Sequence, residues 1–571
     1  MHMNKIVKLI LCMGAGCFLA TESMACTNVL ITKGASKDGS VLISYSADSH
    51  QLYGELYFSP AGIFKKGSLL PITEWDTGRY LGEIAQVRRT YQTVGNMNEH
   101  QLIITETTFG GRPELYDPEG IMDYGSLIYI TLQRARTARE AIAIMASLVE
   151  KYGYASSGES FSIGDKDEVW IMEMIGKGSK TDADGNNLRK GAVWVAARVP
   201  DGYICAHANQ ARITNIDFKD KENWMYSKDV VDFAREMGYF EGTDEEFSFA
   251  DAYAPLNFGA LRGCEARVWS AFNILGGGMI GDRDADEYLD FAMGYNPDNR
   301  LPLFIRPASK VGVKDIADVM RDHYEGTPMD MTVDIGAGGH HTPYRWRPMD
   351  FEVDGKTYLN ERAIATQQTG FWIVCQSRGW IPDEIGGIIW FGVDDAATSC
   401  LTPVYTSVNA VPECIRTGNG SLIEYSPTSL FWVTNRIANF AYMLYDRVAP
   451  EVRALADARE NAEIGRIPAI DAEAVRILGD KPKEEDIAAV REFLTEYSSN
   501  TAQDLFKAYS DMDIYLLLKY MDGNIKKQNP DGSFMDNGNS DRIPASPDQP
   551  GYSDKWKEAV VRDAGEVLLS E

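Results

Sequence analysis

The first half of the chain alternates short apolar runs with glycine-containing turns. Residues 29–31 and 41–43 are apolar and flank Lys37-Asp38-Gly39-Ser40. An Asp-Gly pair between two such runs favours a β-hairpin. Further strands are predicted at residues 101–107, 160–164, 169–174, 193–198 and 203–206, and again at 370–376 and 388–392. The chain after residue 25 is therefore expected to begin in a sheet.

Helices are predicted between these strands and beyond them. Residues 137–151 have the sequence TAREAIAIMASLVEK, with Thr137 as the N-cap and Glu140 three residues later to complete a capping box. After residue 427 the chain becomes largely helical, with predicted segments at 452–464, 484–497, 501–520 and 554–569. The balance is α+β. We predict a sheet-containing domain over residues 26–430 and a mainly helical C-terminal region over residues 431–571.

The length and charge of the chain limit the class of protein. Its 571 residues exceed the usual size of one domain, and a hydrophobic fraction of 44% is ordinary for a folded enzyme. The formal net charge of -27 argues against a nucleic-acid partner, because binding to a phosphate backbone needs clustered Lys and Arg. The acidic residues are spread along the chain, which is typical of a solubilising surface and assigns no function.

The first 25 residues have the layout of a secretory signal peptide. Lys5 and Lys8 precede the apolar run 9–20, and the segment 21–25 forms a polar, small-residue exit. The apolar run is shorter than the ~20 residues that a membrane-spanning helix needs, and no later run of that kind follows. We therefore expect residues 1–25 to be removed and the protein to lie in a bacterial periplasm or outside the cell, without a membrane span. A buried N-terminal helix is the alternative interpretation.

The cysteines that follow the predicted signal peptide leave the redox state open. They are Cys26, Cys205, Cys264, Cys375, Cys400 and Cys414. Export permits disulfides, and Cys400 and Cys414 are the closest later pair, but one sequence does not define connectivity. A core without disulfides is an equally open interpretation.

Cys26 is the strongest candidate for a nucleophile. It follows the best cleavage junction, Ala25-Cys26, and starts the first predicted strand. A thiol at a mature N-terminus has a free α-amine beside it, which titrates near ~7.7–8.0 and takes the thiol proton directly or through water. Two other interpretations stay open. Cys26 is a buried or disulfide-bonded cysteine in the first and a lipid acceptor in the second, although the segment 23–25 lacks the Leu expected three positions before a lipidated cysteine.

The residues after Ala25 resemble a known family of hydrolases. The similarity begins with the run CTNVLITKGASKDGSVLISYSADSH, which is similar to the start of the cysteine dipeptidases of the dipeptidase A type. These enzymes are relatives of the penicillin V acylases and bile salt hydrolases in the N-terminal-nucleophile superfamily. Further matches follow in order, up to about Tyr405: Asn98-Glu99, GESFSIGDKDEVWIMEMIG from Gly158, AHANQARIT from Ala206, EARVW from Glu265, DHYEGTPMDMT from Asp322 and WFGVDDAATSCLTPVY from Trp390.

The resemblance implies a fold and a set of catalytic residues. The implied fold is a four-layer αββα sandwich that carries the nucleophile, Cys26, at a strand end. Asp48 matches the aspartate that holds the α-amine, and a carboxylate there stabilises the charged amine. Asn209 matches the asparagine whose N–H stabilises the tetrahedral oxyanion. Arg267 matches an arginine near the nucleophile, where a cation favours the thiolate. A turn-capping Asp, a loop Asn and an internal ion pair are the respective alternatives.

The sequence departs from the family at one position of the implied site. Many relatives carry Arg where this chain has Tyr45, so Tyr45 is a candidate substrate-binding residue that acts by hydrogen bonding or packing. Glu106, on the strand that follows Asn98, is a candidate binder of a substrate amine. The second oxyanion contact is not assigned from the sequence.

No metal or organic cofactor is indicated. His340-His341 lacks a clear third ligand, and the sequence contains neither HExxH, CxxC nor a GxxxxGK[ST] phosphate loop. We therefore predict an exported cysteine dipeptidase that acts on small peptides. The alternatives are an amidase that acts on N-acyl compounds such as conjugated bile acids or penicillin V, and a non-catalytic exported binding protein. The helical C-terminal region either covers the sandwich or makes contacts in a homo-oligomer.

Overall fold

Two large antiparallel sheets form the centre of the chain. The computed structural model describes residues 26–185 and 187–571, and the predicted signal peptide at residues 1–25 lies outside the described residues. The strands predicted from the apolar runs are present and belong to these two sheets. The predicted α+β class is therefore confirmed.

The strands are spread over most of the chain. Those of the first half are β1 (Asn28–Ile31), β2 (Val41–Asp48), β3 (Phe58–Ser59), β4 (Gly62–Ile63), β5 (Leu69–Thr73), β6 (Tyr80–Ala85), β7 (Arg89–Thr90), β8 (Thr93–Val94), β9 (Met97–Asn98), β10 (Ile103–Gly110), β11 (Gly158–Gly164), β12 (Val169–Gly176), β13 (Ala192–Arg198), β14 (Ile204–His207) and β15 (Trp224–Tyr226). Those of the second half are β16 (Met279–Ile280), β17 (Arg283–Asp284), β18 (Phe304–Ile305), β19 (Asp350–Val353), β20 (Lys356–Leu359), β21 (Thr369–Ser377), β22 (Gly387–Val393) and β23 (Thr402–Tyr405).

These strands divide into two main sheets. Within the described residues the first sheet has the order β18-β14-β1-β2-β21-β22-β23, and the second sheet has the order β15-β13-β12-β11-β10-β9-β8-β3. The other strands form two-stranded ribbons. The pairing of β2 with β21 ends at Asp48↔Thr369 after an irregularity, and an isolated bridge Thr27↔Ser46 extends the β1–β2 pairing. Cys26 and Asp48 therefore lie at the same end of the first sheet.

Polar side chains join the inner faces of the two sheets beside β1. The Nδ2 atom of Asn28 donates to the hydroxyl oxygens of Thr105, at 2.8 Å, and Ser162, at 3.0 Å. His207 lies between two hydroxyls, with Nδ1 2.7 Å from Thr107 Oγ1 and Nε2 2.7 Å from Ser162 Oγ. Burial lowers the pKa of His207 to about 3, so the ring is neutral at physiological pH. These hydrogen bonds fix one sheet against the other where the first strand begins.

Helices pack against both main sheets and also form much of the C-terminal part of the chain. They are α1 (Tyr124–Leu132), α2 (Ala138–Tyr152), α3 (Val230–Glu236), α4 (Phe249–Tyr253), α5 (Ala266–Leu275), α6 (Leu289–Ala292), α7 (Val313–Met320), α8 (Asp383–Gly386), α9 (Leu430–Met443), α10 (Tyr445–Leu478), α11 (Glu484–Tyr520) and α12 (Asp554–Ala564). The pair α1 and α2 packs on the second sheet, with a buried apolar cluster between them. The first sheet is contacted by α5, α7, α9, α10 and α11.

The C-terminal helices lie against the first sheet. Both α10 and α11 contact β23, and α9 contacts β22, so all three share a buried apolar cluster with the strands. The proposed division at residue 430 stays a prediction.

All six cysteines in the described part of the chain are free thiols, so the disulfide interpretation is not realised. Of the helices described, none combines the length and apolar character that crossing a membrane requires.

Candidate active site

Cys26 lies in a fully buried position two residues before β1. The Thr27↔Ser46 bridge holds the adjoining backbone against β2. The Sγ atom lies 3.7 Å from Oε1 of Glu106 on β10 and 4.0 Å from the hydroxyl of Tyr45 on β2. The thiol is therefore enclosed by side chains from both sheets.

The surroundings of Cys26 favour the neutral thiol. Burial raises the pKa of the Cys26 thiol well above its usual value, and the nearby carboxylates of Glu106 and Asp48 raise it further. A hydrogen bond from the backbone of Asp48 acts in the opposite direction. Because the thiolate is the reactive form, a thiol in this setting needs a base before it can act as a nucleophile.

The carboxylate of Asp48 is held from three directions. The guanidinium of Arg362 binds Oδ2, the hydroxyl of Ser46 donates to the same oxygen at 3.0 Å, and the hydroxyl of Thr369 donates to Oδ1 at 2.7 Å. The side chain of Gln368 donates to the main-chain oxygen of Asp48 at 2.9 Å. Such a network of buried hydrogen bonds fixes the orientation of the carboxylate.

Arg267 connects the main chain of Cys26 to the side chain of Asn209. It follows the π-helical segment Ala260–Glu265, and such segments are frequent at functional sites. Its Nη1 atom donates to the carbonyl oxygen of Cys26 at 2.7 Å, and Nη2 donates to Oδ1 of Asn209 at 2.9 Å. The Nε atom donates to the carbonyl of Gly263 at 2.8 Å. The guanidinium therefore positions two other groups, and its contact with Cys26 is to the main chain and not to the thiol.

The side-chain amide of Asn209 has a fixed orientation. The residue has φ of 59°, in the left-handed region that Asn adopts more readily than most residues. Its Nδ2 atom donates to the carbonyl of Thr108 at 2.7 Å, while Oδ1 accepts from Arg267. The amide is thus held between the end of β10 and the start of α5.

Tyr45 and Glu106 form a hydrogen-bonded pair beside the thiol. The Tyr45 hydroxyl donates to Oε1 of Glu106 at 2.9 Å, and the Tyr45 ring packs edge-on against Phe371 at 5.8 Å between centroids. Burial raises the pKa of Glu106 to about 7, although hydrogen bonds from Glu159 and Tyr45 act to lower it. The carboxyl group of Glu106 therefore titrates near neutral pH.

Glu159 is a second buried carboxylate beside Glu106. It stands opposite Thr108 in the β10–β11 register, and the Thr108 hydroxyl donates to Oε1 of Glu159 at 2.9 Å. Burial, with the neighbouring Glu106, raises the pKa of Glu159 well above its usual value. The two carboxyl groups lie diagonally across paired strands, close enough for each to shift the pKa of the other. The Oε2 atoms of both carboxyl groups have no hydrogen-bond partner among the described residues.

A cavity of about 520 Å³ opens next to these groups. Its walls carry the carboxylates of Glu74, Asp76, Asp123 and Glu159, together with Asn209. The described residues that line it include no Lys, Arg or His. Burial raises the pKa of Asp76 to about 6. The cavity is therefore suited to a ligand that brings a positive charge.

A larger cavity, of about 710 Å³, lies under α10. None of the predicted site residues lines it.

The structure brings the predicted site residues into one neighbourhood. Tyr45, Asp48 and Glu106 surround the thiol of Cys26. Asn209 and Arg267 join the same neighbourhood through the Cys26 carbonyl. Their catalytic roles stay predictions, and the second oxyanion donor stays unassigned.

Sequence reasoning missed Arg362 and Glu159. A charged residue at a fully buried position of β11 is the signal that marks Glu159. Arg362 lies outside the matched motifs and has no such signal. Asn98, in contrast, belongs to a matched motif but has a structural contact, since its Nδ2 atom donates to the carbonyls of Leu132 and Ala135.

The described residues contain no group of three or more His, Cys, Asp or Glu arranged to hold a metal ion. The ring of His340 faces Asp446 at 3.4 Å, and Nδ1 of His341 lies 2.9 Å from the carbonyl of Thr332. The two histidines thus have separate contacts with the protein.

A buried thiol at a strand start, an oriented amide and an adjoining cavity lined by carboxylates define the class of protein as a cysteine-type peptidase. Sequence comparison identifies the family. Residues 25–458 match peptidase family C69, and the chain belongs to that family.

Curated relatives agree with this membership. The chain is 26% identical over 414 residues to a probable dipeptidase of Latilactobacillus sakei. The aligned region covers 69% of this chain and 77% of the relative. It is 24% identical over 519 residues to dipeptidase A of Lactobacillus helveticus. The aligned region covers 87% of this chain and 98% of the relative. A probable dipeptidase B of Lactococcus lactis is 23% identical over 511 residues, with 86% and 94% covered. The predicted resemblance to the dipeptidases and the predicted class of enzyme are confirmed.

Proposed function

We propose that this chain is an exported dipeptidase whose nucleophile is Cys26, exposed at the N-terminus by removal of residues 1–25. The observation that carries the proposal is the position of Cys26. Its thiol is buried two residues before β1 and 3.7 Å from Glu106, in the same neighbourhood as Asn209 and Glu159, which line the cavity of about 520 Å³. Cavities of this size suit small-molecule ligands, and a dipeptide is one. The relatives named dipeptidases point to the same class of substrate.

We further propose that the fold is a four-layer αββα sandwich of the N-terminal-nucleophile type. The two facing antiparallel sheets support this assignment, as do α1 and α2 on one outer face and α5, α7 and α9 to α11 on the other. In this arrangement residues 26–430 form the catalytic domain, and the helices after residue 430 cover the first sheet. Export would place the enzyme in a bacterial periplasm or outside the cell.

The first step is activation of the thiol by the α-amine of Cys26. Because burial raises the pKa of the thiol, the thiol is neutral in the resting site. An α-amine titrates near ~7.7–8.0, so it is available as a base near neutral pH. It accepts the thiol proton, and the Asp48 carboxylate, oriented by Arg362 and Thr369, holds the ammonium that forms.

The second step is acyl transfer to sulfur. The thiolate of Cys26 attacks the carbonyl carbon of the peptide bond, and the carbonyl oxygen becomes an oxyanion. The amide of Asn209 and a backbone N–H stabilise this oxyanion, each by roughly 3–4 kcal/mol. The α-ammonium gives its proton to the leaving nitrogen, the C–N bond breaks, and the C-terminal amino acid leaves.

The third step is hydrolysis of the thioester. The α-amine accepts a proton from water, and the hydroxide attacks the acyl carbon. The C–S bond breaks, the N-terminal amino acid leaves, and the proton returns to sulfur. Arg267 holds the main chain of Cys26 and the side chain of Asn209 in the same relative position through all three steps.

The test is N-terminal sequencing of the protein secreted by a bacterial host, combined with a dipeptide-hydrolysis assay. We expect a mature start at unmodified Cys26 and an active enzyme. Cys26→Ser should lose most of the activity, whereas Cys414→Ser, at a buried thiol that contacts the carbonyl of Ala502, should keep it. A start at another residue, a lipidated amine or full activity in Cys26→Ser would contradict the proposal and favour a binding protein.

A further inference from the structure

Two buried carboxylates stand beside the nucleophile without a protein cation. The side chains of Glu106 and Glu159 are each 1% exposed. Their Oε2 atoms have no hydrogen-bond partner among the described residues. Burying an ionised carboxylate without a partner costs several kcal/mol, and two adjacent ones also repel each other. Such a pair is stabilised when a cation binds between them.

No Lys or Arg side chain of the described residues supplies that cation, and in the proposed mechanism the α-ammonium of Cys26 is held by Asp48. The described residues lining the cavity include no Lys or Arg, and Arg79, near its rim, is paired with Glu74 at 3.0 Å. The remaining source of positive charge is the ligand. An ammonium group carries three N–H donors, so it can bind one oxygen of each carboxylate and keep a third donor for another acceptor.

The position of the pair relative to Cys26 selects one ammonium group of the substrate. In a dipeptide the free α-amine lies two covalent bonds from the carbonyl carbon that the thiolate attacks. Oε1 of Glu106 is 3.7 Å from the Cys26 sulfur, and Glu159 is close enough to the same thiol to raise its pKa. A carbonyl seated on the sulfur therefore brings its own α-amine to the two carboxylates.

We propose that Glu106 and Glu159 together bind the free α-ammonium group of the substrate, so that the enzyme requires an unblocked N-terminus. This inference rests on the proposed role of Cys26. Glu159 is thereby a specificity-determining residue, and the substrate class narrows to dipeptides with a free amine, to the exclusion of N-acyl compounds.

The discrimination follows from the chemistry of the pair. An N-acyl amino acid has no ammonium next to its scissile carbonyl, so both carboxylates would stay buried without a cation. A site built to hydrogen-bond a substrate group rejects the analogue that lacks the group by as much as about 10⁴-fold. An N-acetylated dipeptide would in addition place its acetyl carbonyl against carboxylate oxygens, where two acceptors repel.

The experiment compares three substrates with the mature enzyme: L-alanyl-L-alanine, propionyl-L-alanine, which lacks only the amine, and N-acetyl-L-alanyl-L-alanine. We expect kcat/KM for alanyl-alanine to exceed that for the other two by at least about a hundredfold. Glu159→Gln should lower kcat/KM for alanyl-alanine by about tenfold to a hundredfold. The same variant should not lower the rate with propionyl-alanine, because it removes one of the carboxylates that this substrate leaves without a cation. Rates for the three substrates within about threefold of each other, or an equal loss on all of them in Glu159→Gln, would overturn the inference.

A matched control separates the specific contact from the general field of the cavity. Glu74→Gln removes the same charge from the same cavity wall, but the Glu74 carboxylate is already paired with Arg79. We expect the loss of kcat/KM in this variant to be at least about fivefold smaller than that in Glu159→Gln. A loss in Glu74→Gln as large as that in Glu159→Gln would mean that the cavity acts only through its overall charge, which contradicts the inference.

A binding measurement distinguishes failure of this inference from failure of the proposed function. In Cys26→Ala, calorimetry should detect alanyl-alanine binding and at least about tenfold weaker binding of propionyl-alanine. If the mature enzyme hydrolyses neither compound but Cys26→Ala keeps this preference, the catalytic proposal fails and the ammonium site stands. If hydrolysis depends on Cys26 but binding shows no preference for the free amine, the ammonium site fails alone.

Discussion

Arg362 binds the carboxylate of Asp48 across 314 positions of the sequence, and both side chains are buried. Thr369, which follows seven residues after Arg362, donates to the other carboxylate oxygen of Asp48 at 2.7 Å. The aspartate that is predicted to hold the α-amine is thus oriented by a segment distant in sequence. This arrangement makes the charge of Asp48 and the charge of Arg362 depend on each other.

Asp48→Asn should therefore lose both stability and activity. Removing one partner of a buried ion pair costs about 3–5 kcal/mol because the other charge is left unpaired. We expect a lower midpoint of urea unfolding and a loss of about a hundredfold in kcat for dipeptides, because the amine loses its orientation.

The double variant Asp48→Asn/Arg362→Met separates the two effects. It removes both buried charges, so we expect it to recover at least about half of the lost free energy of unfolding and none of the activity. Recovery of activity together with stability would show that Asp48 acts only through the fold.

Arg267→Lys should reduce catalysis more than its effect on stability would suggest. A lysine ammonium cannot reproduce the planar set of donors that binds the Cys26 carbonyl and Asn209 Oδ1 together. We expect kcat to fall by about tenfold to a hundredfold, since the nucleophile and the oxyanion donor are no longer held in register.

Arg321→Lys is the matched control for that variant. Arg321 is equally buried and binds Glu460 and the carbonyl of Ala396, in a region under α10. We expect a comparable fall in the unfolding midpoint with kcat within about threefold of wild type. Similar losses of kcat in both arginine variants would assign Arg267 a purely structural role.

Local patterns were sufficient to predict much of the fold. The helix α2 begins after Thr137, whose hydroxyl accepts from the backbone of Glu140 as the N-cap pattern predicts. The Glu140 carboxylate differs from the prediction, because it accepts from the backbone of Arg136 instead of closing the capping box on Thr137. The predicted helices at 484–497 and 501–520 form one helix, α11, in which the intervening Ser498 is buried and its hydroxyl oxygen accepts a hydrogen bond from the backbone N–H of Tyr405 on β23.

The site was less accessible to local reasoning. Cys26, Asp48 and Asn209 lie in motifs that carry a family resemblance, so the sequence was enough to single them out. Arg362 has no local signal, because its role depends on the β2–β21 pairing that brings residue 369 to Asp48. The proposed role of Glu159 depends on its diagonal position next to Glu106 on paired strands. Contacts of this kind are set by the sheet and not by the spacing of residues.

Tyr45→Phe should move the acidic limb of the pH profile of kcat/KM for dipeptides toward higher pH. Binding of an ammonium group needs ionised Glu106, whose pKa burial raises to about 7, so activity should rise with pH through that value. The Tyr45 hydroxyl lowers the pKa of Glu106 by donating to it, and its removal therefore raises that pKa.

The pH profile reports a group of interacting carboxyl groups and not Glu106 alone, because Glu159 and Asp76 also shift the pKa of Glu106. Tyr57→Phe is the control, since the Tyr57 ring packs edge-on against the same Phe371 that contacts Tyr45. The control should leave the limb in place. An unshifted limb in Tyr45→Phe would mean that Glu106 does not control substrate binding.

Glu159→Gln should make the unliganded protein less sensitive to alkaline pH while it loses activity. The pKa values of Glu106 and Glu159 are raised in the folded protein, so the folded state binds more protons than the unfolded chain does. The stabilisation from these protons is complete below the unfolded pKa of about 4.3 and is lost as pH rises, through about 7 in the case of Glu106. The variant has one such group fewer, so its urea midpoint should fall less than that of wild type between about pH 5 and about pH 8.

Glu74→Gln is the control of opposite sign. Arg79 lowers the pKa of Glu74, so the urea midpoint of this variant should not be protected in the same way. Parallel plots of the urea midpoint against pH for wild type and Glu159→Gln would show that the burial of Glu159 beside Glu106 does not destabilise the folded protein. The opposing changes in stability and activity would instead identify the pair as a site that the fold maintains for its ligand, at the expense of its own stability.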